Sequence, residues 1–100
     1  MTEKLSAAAR DAMLGPLFEG GWAMVEGRDA IHKSYRFGSF VEAFGWMTRA
    51  AMWAEKWNHH PEWRNVYNRV EICLSTHDAG NVVTDSDRQL AAKIEAIYNS

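Results

Sequence analysis

The sequence has one cysteine, Cys73, only two prolines, and no strong excess of either charge. A single thiol excludes an internal disulfide and any four-cysteine zinc site. Eleven Lys and Arg stand against 13 Asp and Glu, a net charge of −2. That balance argues against a mainly electrostatic binder of nucleic acid or of a membrane surface. No apolar run reaches the roughly 18 residues of a membrane span. Met1 to Arg10 lacks the apolar segment of a secretory signal, so a reducing, cytoplasmic setting is the expectation. No Gly-x-Ser-x-Gly elbow, phosphate loop or dinucleotide fingerprint occurs. Linkers, low-complexity stretches and internal repeats are also missing. The 100 residues therefore read as one domain spanning 1–100.

What is present is a chain for a core. Hydrophobic residues make up 47% and charged residues 24%, too apolar and too well mixed for disorder. Five tryptophans and four histidines are many for this length. Tryptophan usually belongs to a core, an interface or a stacking pocket.

The periodicity gives seven elements. Ser6 caps a helix through Ala7, Ala12 and Leu14, which Gly15-Pro16 should end. Trp22–Glu26 reads as a short strand, Gly27-Arg28-Asp29 as a turn, and Ala30–Phe37 as the hairpin partner. In that partner Ile31, Lys33, Tyr35 and Phe37 share one face. Ser39 and Glu42 form a capping box for a helix to about Trp57. Two apolar stripes run along it: Phe40, Phe44, Met47, Ala51 and Ala54, beside Ala43, Trp46, Ala50, Trp53 and Trp57. Together they cover about half the circumference. One sheet face rarely covers so much. The expectation is that the sheet covers one stripe and a second subunit part of the other. The plainer alternative has the terminal helices cover it within one chain.

Asn58–Trp63 reads as a polar loop. Val66–Thr76 reads as one half-buried strand, with Val66, Val70, Ile72 and Leu74 on one face. Ala79-Gly80-Asn81 is a turn and Val82-Val83 a brief strand. Thr84 and Asp87 cap a last helix carrying Leu90, Ala91, Ile94, Ile97 and Tyr98. The order α-β-β-α-β-β-α predicts an α+β fold, a four-stranded antiparallel sheet with helices packed on one face.

His59-His60-Pro61 follows the long helix and His77 follows the long strand. Both are element ends, where sites collect. Histidine has an unperturbed pKa of about 6.5 and can give or take a proton near neutrality. Two such groups around a small molecule could run an elimination or a tautomerisation. Thr76 and Asp78 flank His77 with a hydroxyl and a carboxylate. Trp57, Trp63 and Tyr67 could wall a flat heterocycle. The plainer readings are a surface His77, an Asp87 that only starts a helix, a solvated Glu55-Lys56 helix end, and a Cys73 that only packs. No metal is expected, since the short ligand spacings on one helix or knuckle are missing.

Glu55-Lys56-x-x-His59-His60-Pro61-x-Trp63, then Tyr67, Ser75-Thr76-His77, Asp87 and Leu90-Ala91 closely resembles the pterin-4a-carbinolamine dehydratase family. Upstream the likeness continues through Gly21-Trp22, Glu26-Gly27-Arg28-Asp29-Ala30-Ile31, Phe37 and Ala43-Phe44-Gly45-x-Met47-Thr48-Arg49. It spans about residues 21–95, with a slightly longer Ala79–Ser86 loop than the commonest family pattern.

The resemblance implies a lyase that dehydrates 4a-hydroxytetrahydrobiopterin to the quinonoid dihydropterin after aromatic amino-acid hydroxylation. It implies no metal and no cofactor, the pterin being the substrate. Family substrate-contact positions fall on Asn58, His59, His60, Ser75, Thr76, His77 and Asp78. The family's catalytic histidines match His59, His60 and His77, with Asp87 as an accessory motif position. A homodimer or homotetramer is implied, as is a functional link to phenylalanine hydroxylase. Animal relatives also imply a second class of function, a dimerisation cofactor for a transcription factor with a nuclear pool. Direct nucleic-acid or membrane binding is not implied.

Overall fold

A computed structural model describes residues 3–100, so the first two positions of the Met1–Arg10 stretch lie outside the described residues. Helix α1 (Ala7–Glu19) starts where Ser6 accepts a hydrogen bond from the Ala9 N–H. It does not stop at Gly15-Pro16. Proline removes only its own N–H from the helical ladder, and the turn beyond it can still form. Burial of Leu14 and Leu17 on one face holds that turn in place. The helix ends at Gly20, where the Trp22 N–H bonds back to the Leu17 carbonyl.

The sheet has strand order β1-β2-β4-β3 and is antiparallel throughout. β1 is only Ala23–Met24, and β2 is Ile31–Arg36. Trp22 lies before the strand and is buried in the core. Residues 62–74 correct the sequence reading. The expected single strand over Val66–Thr76 is a hairpin, β3 (Glu62–Val66) and β4 (Arg69–Leu74), turning at Tyr67-Asn68. The turn carries no glycine, and Tyr67 takes φ 52°. Asn65 braces it by donating to the Tyr67 and Arg69 carbonyls. Val66 therefore lies on an exposed edge and does not share the buried face of Val70, Ile72 and Leu74. Val82-Val83 forms no strand of this sheet. Val82 makes one isolated bridge to Thr76, and Val83 plugs the core.

Helix α2 (Phe40–Lys56) begins as expected, with Ser39 Oγ accepting from the Glu42 N–H. The reciprocal arm differs, since Glu42 accepts from the Gly38 N–H. α2 packs against β3 and β4, and α3 (Asp85–Tyr98) packs against both α1 and α2. The core is one face of the sheet, Ile31, Tyr35, Val70, Ile72 and Leu74, under Trp46, Leu90 and Ile94. His32, Ser34 and Arg36 point the other way and are exposed. The α+β architecture and its element order thus hold, although the fourth strand is Glu62–Val66. On α2, Ala43, Trp46 and Ala50 are buried, while Phe40 and Phe44 stay about half exposed, 48% and 55%.

Candidate active site

Two chain segments meet at one end of the sheet. The first follows α2: Trp57 caps the helix, and Asn58 turns the chain with φ 51°. The second follows β4, where Thr76 leads into a single 3-10 turn, His77–Ala79. That turn closes at Gly80 with φ 95°, a left-handed conformation that glycine adopts without strain. Asn58, His59 and His60 from the first segment and Ser75, Thr76, His77 and Asp78 from the second line one cleft of about 240 Å3. Pockets enclosing drug-sized ligands run to about 300–1,000 Å3. This cleft is smaller than that range and has room for a small molecule.

Asp87 holds the two segments together from beneath. It is fully buried, on the first turn of α3. Its Oδ1 lies 2.5 Å from His59 Nε2. Its Oδ2 accepts from the Thr84 N–H at 2.9 Å and from the Thr76 hydroxyl at 2.8 Å. A carboxylate oxygen can only accept from an imidazole N–H, so Nε2 carries the proton. His59 Nδ1 is left without a protein partner among the described residues. The His59 side chain is mostly buried, 12% exposed.

The other two histidines are held more loosely. His77 Nδ1 lies 3.2 Å from the Asn81 amide oxygen, which accepts, leaving Nε2 without a partner among the described residues. His60 is 60% exposed, with Glu55 Oε1 at 3.4 Å as its long contact. Ser75 Oγ accepts from Arg28 Nη2 at 3.2 Å, and Arg28 also pairs with Glu62. That guanidinium holds the Glu62 carboxyl below the usual carboxylate range.

A larger hollow of about 380 Å3 lies on the open face of the sheet, around His32, Glu62, Glu71 and Cys73. It holds one histidine, and both carboxylates are paired with arginines. Burial pushes the Cys73 thiol up, away from thiolate chemistry. No described cluster of three or more His, Cys, Asp or Glu is arranged to hold a metal ion.

The expected aromatic wall is not at the cleft. Trp57 packs on Trp53, Trp63 lines the sheet-face hollow, and Tyr67 sits exposed at the β3–β4 turn. The new hairpin accounts for this, because it carries Trp63 and Tyr67 away from the His59 segment. Sequence reading also missed Asn81 beside His77 and the inward use of the Thr84 hydroxyl. A Thr-x-x-Asp box signals a helix start and says nothing about what lies behind it.

Comparison with known proteins places the chain beside one family. A sequence model of the family described as pterin 4 alpha carbinolamine dehydratase matches residues 3–97, further toward the N-terminus than the residues 21–95 read above. A Roseobacter denitrificans protein, provisionally named a pterin-4-alpha-carbinolamine dehydratase, is 60% identical over 97 residues, covering 97% of this chain and 98% of its own. A Bradyrhizobium protein of the same provisional name is 56% identical over 100% of this chain and 98% of its own. A crystal structure of a transcriptional coactivator/pterin dehydratase from Brucella melitensis superposes with a TM-score of 0.88 at 45% identity, over 96% of this chain and 99% of that one. A pterin dehydratase-like RuBisCO assembly factor of the alpha-carboxysome shares the fold, with a TM-score of 0.67 at 22% identity, over 80% of this chain and 92% of that one.

Proposed function

The chain belongs to the pterin 4 alpha carbinolamine dehydratase family, and from that membership we propose that it removes water from 4a-hydroxytetrahydrobiopterin by paired imidazole catalysis. The observation that carries the proposal is the His59–Asp87 contact at the wall of a cleft that His77 also lines.

The chemistry balances with two protons. The C4a–O bond breaks, its electron pair leaves with oxygen, and a proton from one imidazolium completes the water. The N5–H pair becomes the C4a=N5 bond, and a second imidazole takes that proton. One histidine must start charged and the other neutral, and an imidazole can play either part. His59 is the better base. Its Nδ1 is free, and the buried Asp87 carboxylate stabilises the positive charge that arrives. His77 supplies the proton to the leaving hydroxyl. His60, exposed at the rim, binds and orients the ring with Asn58, Ser75, Thr76 and Asp78. No metal or second cofactor enters this scheme.

The Phe40–Phe44 face of α2 supports self-association into a homodimer or homotetramer, since a monomer gains little from exposing it. No described helix is long and apolar enough to cross a membrane. A cytoplasmic pterin-recycling enzyme that serves an aromatic amino-acid hydroxylase, such as phenylalanine hydroxylase, is the reading that fits.

A stopped-flow assay of 4a-hydroxypterin decay tests the proposal. His59→Ala and His77→Ala should each lower kcat by about 10²-fold or more. His60→Ala should mainly raise KM. Full activity in all three single variants would overturn the histidine mechanism.

A further inference from the structure

We infer that Arg28, at the turn between β1 and β2, is a positioning residue for substrate binding. Its guanidinium holds the Ser75 hydroxyl so that the Ser75 proton donates to an acceptor atom of the bound ring. The inference rests on the dehydratase reading for the identity of that ring.

The turn is fastened on both sides of Arg28. Gly27 takes φ 84°, a left-handed conformation open to glycine, and the Val25 N–H donates to the Ala30 carbonyl at 2.9 Å. Asp29 pairs with Arg10 Nη2 at 2.6 Å, which ties the turn to α1. Arg28 reaches β3 and the end of β4. Its Nη1 donates to Glu62 Oε2 at 2.8 Å, and its Nη2 donates to Ser75 Oγ at 3.2 Å, 47 positions away in sequence. The planar fork lets one guanidinium serve both partners from separate nitrogens. Glu62 thus steadies the group that Ser75 leans on.

Ser75 lines the cleft with His59, His60 and His77. Among the described residues Arg28 is the one partner of its hydroxyl. A serine hydroxyl has one proton and two lone pairs, and a guanidinium only donates. The contact therefore takes a lone pair and leaves the proton unspent beside the cleft. A charged donor on the oxygen also polarises the O–H and makes it a better donor. Without the guanidinium, Ser75 loses its fixed partner, and the ligand must order the hydroxyl when it binds. Arg28 makes no hydrogen bond to a histidine, so the cost falls on binding and not on proton transfer.

A double-mutant cycle on the full chain tests this. Arg28→Met keeps a long side chain and removes its donors. The ion pair with Glu62 is exposed at both ends, 41% and 62%, and such pairs add little stability, so the variant should fold. Titration calorimetry with dihydrobiopterin reads binding, and stopped-flow turnover reads KM and kcat. Arg28→Met and Ser75→Ala should each raise Kd and KM about threefold to tenfold, the worth of one hydrogen bond. In both, kcat should stay within about twofold. The double variant should match Ser75→Ala, because Arg28 acts through that hydroxyl. Effects that multiply in the double variant would show the guanidinium acting on its own and would overturn the inference. Parent-like Kd and KM in Arg28→Met would overturn it too. A parent chain that binds the pterin without turning it over would sink the proposed function and leave the binding cycle to decide this inference. A parent that binds no pterin would overturn both.

Discussion

Asp87 Oδ1 and His59 Nε2 stand 2.5 Å apart, joining the first turn of α3 to the loop after α2 across 28 positions of sequence. The same carboxylate closes the capping box of α3 through Oδ2. One buried side chain thus does two jobs, and its substitution should show both.

Asp87→Asn should lower kcat by about 10²-fold, since an amide cannot stabilise a charged imidazole as a carboxylate does. It should also cost about 1–3 kcal/mol of stability, because the amide NH2 would face donors in a buried site. Turnover and urea unfolding measure the two effects. A folded variant with unchanged kcat would contradict the role given to Asp87.

Glu95 should set part of the acid limb of stability. Burial alone would raise its carboxyl, but hydrogen bonds from Lys33 and Tyr35 and the Lys33 charge outweigh burial and hold it below the ordinary 4.5. Between that lowered value and 4.5 the folded state binds fewer protons than the unfolded one. Stability from this group is therefore full above pH 4.5 and falls as pH drops through the folded value. Glu95→Gln should flatten that limb and cost about 1–3 kcal/mol at pH 7. Unfolding free energy measured from pH 2 to 7 checks the sign; an unchanged slope would contradict it.

Phe44→Glu should dissociate the proposed oligomer without unfolding the chain. Phe44 is 55% exposed beside Phe40, so a carboxylate there is hydrated in the monomer and buried only in an assembly. Native mass measurement with circular dichroism reads both outcomes. An assembly of unchanged mass would place the interface elsewhere.

Tyr67→Gly should raise stability by up to about 1 kcal/mol. A non-glycine residue in the left-handed region costs about 1–2 kcal/mol, and the extra freedom of glycine in the unfolded chain offsets part of the gain. Chemical denaturation measures it. A loss of stability would show that the ring makes contacts worth more than the strain.

Local periodicity determined much of this protein. The long amphipathic helix from Ser39, the buried alternation of Val70, Ile72 and Leu74, and the Thr84 start of α3 all follow from patterns within a few residues of one another. The cluster of candidate residues at Asn58–His60 and Ser75–Asp78 was legible as well, by motif. The Glu62–Val66 strand was not. Its Pro-bounded, polar start reads as a loop, and only pairing with Arg69–Leu74 makes it a strand. Pro16 inside α1 escaped for a related reason, since burial of Leu17 overrides the local break. Above all, no spacing announces that Asp87 reaches His59, or that Thr84 and Thr76 share a proton chain behind them. Those contacts depend on where α3 lands against the end of the sheet. Their strength depends on burial, because no water competes there for the hydroxyls and the carboxylate.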